Sequence, residues 1–269
     1  MSDAVAIEEE TLLTDAELLG FIAQGYHLIE PELPAGFHEI ICEQIDALES
    51  NPGNDILARV PMLQQVYDHP QVRGALVSLL GEDLQMDGHR HLHVNVPGSR
   101  SQGWHQDGTN VRHHQTWCVL AIYYPHDVPA DLGPTIIMPG THFRNTPTDQ
   151  LATYANLKGQ VPLTVKAGTI AITHYDLWHA ATRNKSKRER ERYMLKFLFN
   201  RMNQPTAPSW NFDAATAEDT ARSYLSTMVG GQGYSSDYYK EWELRKEMWQ
   251  WFKGEQVDVP PGEFRNMLS

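Results

Sequence analysis

The stretch Trp104-His105-Gln106-Asp107-Gly108-Thr109 reads as a short extended segment with a His and an Asp two positions apart. Strand side chains alternate between faces, so His105 and Asp107 are expected on one side of a sheet and Trp104 on the other. Far downstream, Trp178-His179 repeats the pairing of a tryptophan with an imidazole. Two imidazoles and one carboxylate form a donor set that holds ferrous iron while leaving coordination positions open. A chain with thirteen histidines supplies His-x-Asp readily by chance, so the surroundings of this stretch decide its meaning.

Around it, from Asp83 onward, the texture is that of short strands. Leu84, Met86, Leu92, Val94 and Val96 are punctuated by Gly88 and Pro97-Gly98. Thr116–Tyr124, Thr135–Met138, Val161–Val165, Thr169–Thr173 and Tyr193–Phe199 follow, separated by Gly, Pro and Asn. Such a series predicts a β-sandwich or barrel, not alternating β-α units. Before it the chain is mainly helical. Residues 1–13 read as a mobile acidic leader, and Thr14-Asp15-Ala16-Glu17 is a capping box for a helix that Gly25 stops. Tyr26–Ile29 reads as a strand, Pro34 to Asn51-Pro52-Gly53 as an amphipathic helix, and Pro70–Leu80 as another. After Arg201 the sequence is irregular until a charged, aromatic helix over Ser236–Lys253, and Pro260-Pro261-Gly262 ends it. The expected architecture is mainly β with flanking helices: a jelly-roll core over 83–200, a helical brace over 14–82 and an extension over 201–269, in one domain spanning 1–269.

Composition narrows the function classes. A net charge of −12 argues against a general nucleic-acid binder, whose affinity comes from neutralising phosphates. No apolar stretch approaches the roughly 20 residues that span a bilayer, so no membrane partner is expected. Two cysteines, Cys42 and Cys118, imply no disulfide framework and a reducing, cytoplasmic setting. A small-molecule substrate and a monomer or small homo-oligomer fit these bounds.

Other histidine arrangements compete with His105, Asp107 and His179. His89, His91 and His93 alternate on a strand and resemble a cupin metal site, but no Glu follows at the usual interval. His113-His114 would diverge in extended structure, and His126, His142 and His174 are each isolated in the sequence. The ordered companions of the first set are more specific. Leu132-Gly133-Pro134-Thr135 leads to Met138-Pro139-Gly140-Thr141-His142; then come Gly168-Thr169, Leu177-Trp178-His179, Asn184-Lys185-Ser186 and a run of arginines.

In that order these motifs resemble the phytanoyl-CoA dioxygenase family over roughly Leu84 to Phe199, with Pro-Gly-Thr-His where the family more often has Pro-Gly-Ser-His. The resemblance implies a double-stranded β-helix and an Fe(II)- and 2-oxoglutarate-dependent oxygenase that consumes O₂ and releases succinate and CO₂. It implies His105, Asp107 and His179 as the iron ligands, and an arginine after the second His as the partner of the distal 2-oxoglutarate carboxylate. Arg188, Arg190 and Arg192 share one strand parity. Spacing from His179 favours Arg190, and spacing back from Tyr193-Met194 favours Arg192. Asn95 and Thr135 match positions that contact 2-oxoglutarate in such proteins. Retention of Asp107 favours oxygenation over halogenation. Two rivals remain: a metal- or ligand-binding jelly roll without turnover, and a cupin-type metalloenzyme using His89, His91 and His93 without 2-oxoglutarate. Gly108–Gln115 and Gly230–Tyr239 are expected at the mouth, where loops set specificity.

Overall fold

Thr14 caps the first helix as its sequence predicts: its hydroxyl accepts from the Glu17 N–H while the Glu17 carboxylate accepts from the Thr14 N–H. In this computed structural model, residues 9–108, 113–144, 150–152, 156–187, 191–225 and 237–257 are described. The first helix, α1 (Asp15–Gln24), ends at Gly25, whose left-handed backbone turns the chain into β1 (Tyr26–Ile29). Next come α2 (Phe37–Asp46), two short helices α3 (Ile56–Arg59) and α4 (Leu63–Asp68), and α5 (Pro70–Leu80). The short pair was not foreseen.

The core strands are β2 (Gln85–Asn95), β3 (Trp104–His105), β4 (Cys118–Tyr123), β5 (Thr135–Ile137), β6 (Gln150–Ala152), β7 (Val161–Pro162), β8 (Ile170–His174), β9 (His179–Ala181) and β10 (Arg192–Asn200). They form two sheets, ordered β1-β8-β4-β10-β2 and β6-β3-β9-β5-β7, with every strand pair antiparallel. From β2 to β5, and again from β8 to β10, the chain crosses from one sheet to the other at each step. That is the winding of a double-stranded β-helix, the expected jelly roll.

Two expectations need correction here. Gly88 does not interrupt the chain between strands. It lies within β2, where the register slips between Phe197↔Arg90 and Phe199↔Met86 and three residues face one. Gly88 therefore marks a bulge, a frequent use of strand glycine. The region after Arg201 is also less irregular than predicted, because α6 (Ala217–Leu225) precedes α7 (Asp237–Phe252). Its buried face is Ala217, Ala221 and Leu225, too small and sparse to announce a helix.

Strand parity sorts β10 into two faces. Leu195, Phe197 and Phe199 join the large apolar cluster that also contains residues of α1 to α7. Met194 and Leu198 face the space between the sheets with Leu120, Ile122 and Ile137. Helices from both ends of the chain thus cover the outer face of the larger sheet. Asp15 at the start of α1, nearly fully buried, ties in the C-terminal extension by accepting from Trp210 Nε1 (2.6 Å) and the Asp213 N–H (3.2 Å). Asp15→Ala would strand a buried indole N–H, and is expected to lower the unfolding free energy by about 2 kcal/mol. A denaturant titration in which this variant matches the parent would show that the tie is not structural.

Candidate metal centre

β3 and β9 are neighbours in the smaller sheet, and their register sets His105 directly opposite His179. The two rings lie 4.2 Å apart between centroids. Each imidazole is fixed by its Nδ1–H, which donates to a carbonyl two residues earlier: Gly103 for His105 (2.9 Å) and Leu177 for His179 (3.0 Å). A carbonyl only accepts, so Nδ1 carries the proton in both rings and both Nε2 lone pairs turn to the cavity, that of His105 accepting from Gln102 Nε2 (3.3 Å). Trp104 and Trp178 lie on the far side of this sheet, packed with Ile136, Ala180 and Met138.

Asp107 reaches the site by a different route from the one predicted. β3 ends at His105, so Asp107 stands on the bend that follows and not on the same strand. Its carboxylate lies 3.9 Å (Oδ1) from His105 Nε2 and 3.5 Å (Oδ2) from His179 Nε2. The three donor atoms fall within 4.8 Å of one another, and among the described residues no other group of three or more His, Cys, Asp or Glu does so. Two Nε2 lone pairs and one carboxylate turned to a common point fit a divalent ion of the kind that takes mixed N/O ligands.

The bend is held from behind by Asp176, three residues before His179. Gln106 Nε2 donates to its Oδ1 (3.3 Å), and His113 Nε2 lies 3.6 Å from its Oδ2. The Asp176 N–H donates to His174 Nδ1 (3.1 Å), and the His174 ring lies 5.0 Å from that of His142. Burial pushes the Asp176 carboxyl above its ordinary range, opposed by its bond to His113. Burial likewise pushes His174 down to about 3. Histidines isolated in the sequence thus form one buried polar group behind the ligands. His126 is structural, its Nε2 accepting from the Tyr193 N–H (2.9 Å). His89, His91 and His93 run along β2 without converging, with ring centroids 4.3 and 5.9 Å apart in succession.

Arg192, Thr135, Lys196, His93 and Met194 line the same cavity as the three donors, a space of about 120 Å³. Arg192 is only 3% exposed. Its Nη1 donates to Thr135 Oγ1 (3.0 Å), its Nε has no partner, and among the described residues no carboxylate pairs with it. Desolvation pushes this guanidinium below its ordinary pKa. Arg188 and Arg190 lie outside the described residues, as do 109–112 and 230–236 of the two expected mouth segments. Asn95 does not line the cavity. Its Nδ2 donates to the carbonyls of Gly133 and Thr182 (3.1 Å each) and its Oδ1 accepts from Ser99, so its amide braces two loops.

Lys196 was missed by the sequence reading, although it shares the parity of Arg192 on β10. Its Nζ donates to Asp107 Oδ2. Burial pushes the Asp107 carboxyl up, but the cationic groups beside it, His179 when protonated and Lys196, hold it below the ordinary carboxylate range. For His179, burial outweighs Asp107 and lowers the imidazole pKa. Both directions favour the deprotonated forms of Asp107 and His179, the forms a metal requires.

A jelly roll with two imidazoles and a carboxylate between its sheets defines the class of non-haem Fe(II)/2-oxoglutarate enzymes. The phytanoyl-CoA dioxygenase (PhyH) family pattern matches residues 10–192, so the chain belongs to that family, and the match takes in the N-terminal helices as well as the core. No curated protein sequence matches it. Among solved structures, HygX from Streptomyces hygroscopicus with nickel and 2-oxoglutarate bound is similar at 14% identity, with a TM-score of 0.58 over 70% of this chain and 87% of that one. The non-haem α-ketoglutarate-dependent carbocyclase SnoK from nogalamycin biosynthesis is similar at 20% identity and a TM-score of 0.56, over 73% and 87%. The related epimerase SnoN gives 18% and 0.55, over 69% and 82%. At these identities the likeness is one of fold.

Gly108 closes the bend, and a Cβ there would fall 2.1 Å from Asp176 Oδ1. Gly108→Ala must therefore displace either the turn that carries Asp107 or the Asp176 carboxylate that backs it. It is expected to weaken Fe(II) or Co(II) binding by roughly tenfold or more with the fold retained by circular dichroism. Unchanged metal affinity in titration calorimetry would show that the turn tolerates the shift.

Proposed function

We propose that this chain is an Fe(II)- and 2-oxoglutarate-dependent oxygenase that hydroxylates a small molecule, releasing succinate and CO₂. The observation that carries the reading is Arg192: a buried guanidinium that meets no carboxylate among the described residues, in one cavity with a His-Asp-His donor set. A buried cation without a counter-ion is costly, and a dicarboxylate anchored between the metal and Arg192 would supply one. Arginine suits that task because its planar fork makes paired charge-assisted bonds to a carboxylate.

In this reading His105, Asp107 and His179 hold Fe(II), and Arg192 with Thr135 receives the distal carboxylate of 2-oxoglutarate. Thr135 accepts from Arg192 and donates to Met194 Sδ (3.3 Å), which sets the guanidinium plane before any ligand arrives. Held by these residues, the metal and 2-oxoglutarate would supply the O₂-activating chemistry, and the chain's own residues would bind and orient the substrate. Ile122 and Met194 give the cavity apolar wall that excludes water from the reacting carbon. HygX and SnoN have been crystallised with hygromycin B and nogalamycin RO respectively, which supports a small-molecule substrate here. The reading takes residues 1–269 as one oxygenase domain acting in the cytoplasm. Among the described residues no helix is long and apolar enough to cross a membrane.

Incubation with Fe(II), ascorbate and 2-oxoglutarate should yield succinate, and His105→Ala should abolish both that yield and metal uptake. Arg192→Met should raise the KM for 2-oxoglutarate on the order of a hundredfold or more, with Arg192→Lys recovering part of it. If Arg190→Met produces that loss and Arg192→Met does not, the anchor is Arg190. If His105→Ala keeps full metal affinity and the parent binds no 2-oxoglutarate, the oxygenase reading is wrong.

A further inference from the structure

The cavity carries more positive charge than the reaction uses. Among its described lining residues Asp107 is the sole carboxylate, whereas Arg192 and Lys196 are both cationic. The inference rests on the oxygenase reading, in which a divalent ion and a dianionic co-substrate also enter this space. The ion, Arg192 and Lys196 then face one carboxylate and two co-substrate charges, and one positive charge is left over. A largely desolvated site does not hold an unbalanced charge cheaply.

The surplus falls at Lys196, because Arg192 is matched by the distal carboxylate and Asp107 by the metal. Lys196 is 6% exposed. Its ammonium has three donors, of which one goes to Asp107 Oδ2, and no other acceptor meets it among the described residues. β10 and β2 place further donors beside it: Lys196 stands directly opposite His91, and Met194 opposite His93, which lines the cavity. We propose that Lys196, with His93, binds an anionic group of the substrate, a carboxylate or a phosphate. Because Lys196 touches a metal ligand, that group must lie close to the metal, and the oxidised carbon lies within a few bonds of the acid.

The test uses the full chain loaded with Co(II) and 2-oxoglutarate, which is unreactive, and three probes of equal chain length: hexanoate, hexyl phosphate and hexanamide. Binding is read by calorimetry, and metal uptake by the Co(II) visible spectrum. The expected result is that hexanoate or hexyl phosphate binds roughly tenfold or more tightly than hexanamide. Which of the two does so identifies the acid. The preference should vanish in Lys196→Met and persist in Lys196→Arg, each compared at a Co(II) concentration that saturates it. Equal binding of the three probes, no binding of either anion, or an anion preference kept by Lys196→Met overturns the proposal. Uptake of Co(II) and 2-oxoglutarate without any anion preference defeats the substrate inference alone. Failure of the parent chain to take up Co(II) defeats the oxygenase reading and this inference with it.

Discussion

The register between β3 and β9 is the constraint on which the site depends. His105 opposes His179, and a slip of one residue would bring a tryptophan or an alanine to that position. The register is held from both faces. On the outer face Trp104, fully buried, packs with Ile136 and Ala180, so a slip would force an indole into the cavity. On the inner face the two Nδ1–H bonds to backbone carbonyls depend on where each ring sits along its own segment. Apolar packing on one side and imidazole tautomers on the other therefore specify the same alignment.

The inner face of β10 carries Arg192 and Lys196 where a stability-driven sequence would place apolar residues. Replacing buried charges with well-packed apolar groups is often neutral or stabilising, so the larger sheet gives up stability on this face. Its other face offsets the loss, since Leu195, Phe197 and Phe199 lie in the largest apolar cluster, against helices from both ends of the chain. The alternation of one strand keeps the two requirements apart. A Met at 194 is consistent with both, filling the gap between the cations and accepting from Thr135.

Much of this was legible in the sequence, and the failures have physical causes. The Thr14–Glu17 box and the Pro70 start need only local chemistry, and both helices begin where those residues predict. The donor set was legible because three residues with ordered companions are rarer than any one of them. The reason offered for His105 and Asp107 sharing a side was not the operative one. Period-two alternation would require a strand through Asp107, whereas Gly108 packed on Asp176 bends the chain first. Asn95 has the residue type of a ligand contact, but its partners, Gly133 and Thr182, are distant in sequence and no local pattern could name them. Lys196 could have been found by extending the alternation of Arg192 by four residues. It was passed over because a lysine in a strand is ordinarily read as solvated. His174 meets Asp176 locally, but the approach of His113 to Asp176 and of His142 to His174 belongs to tertiary structure.

The C-terminal extension lies beyond the family match, which ends at Arg192, yet it reaches the outer layer of the metal centre. Glu241 of α7, itself buried, accepts from Arg144 Nε (2.7 Å), and the same guanidinium lies 5.9 Å from the centre of the Trp178 ring. Trp178 immediately precedes His179. Farther along α7, Glu247 Oε2 lies 3.5 Å from His114 Nδ1, and Met248 Sδ accepts from Thr116. That second pair of contacts falls on the segment leading from Asp107 into β4. One helix thus bears on the approach to β9 and on the approach to β4, through an ion pair and a cation–π stack on one side and an imidazole–carboxylate contact on the other. The same helix buries Met248, Trp249, Trp251 and Phe252 in the apolar cluster over the larger sheet, so the extension serves sheet packing and loop position together.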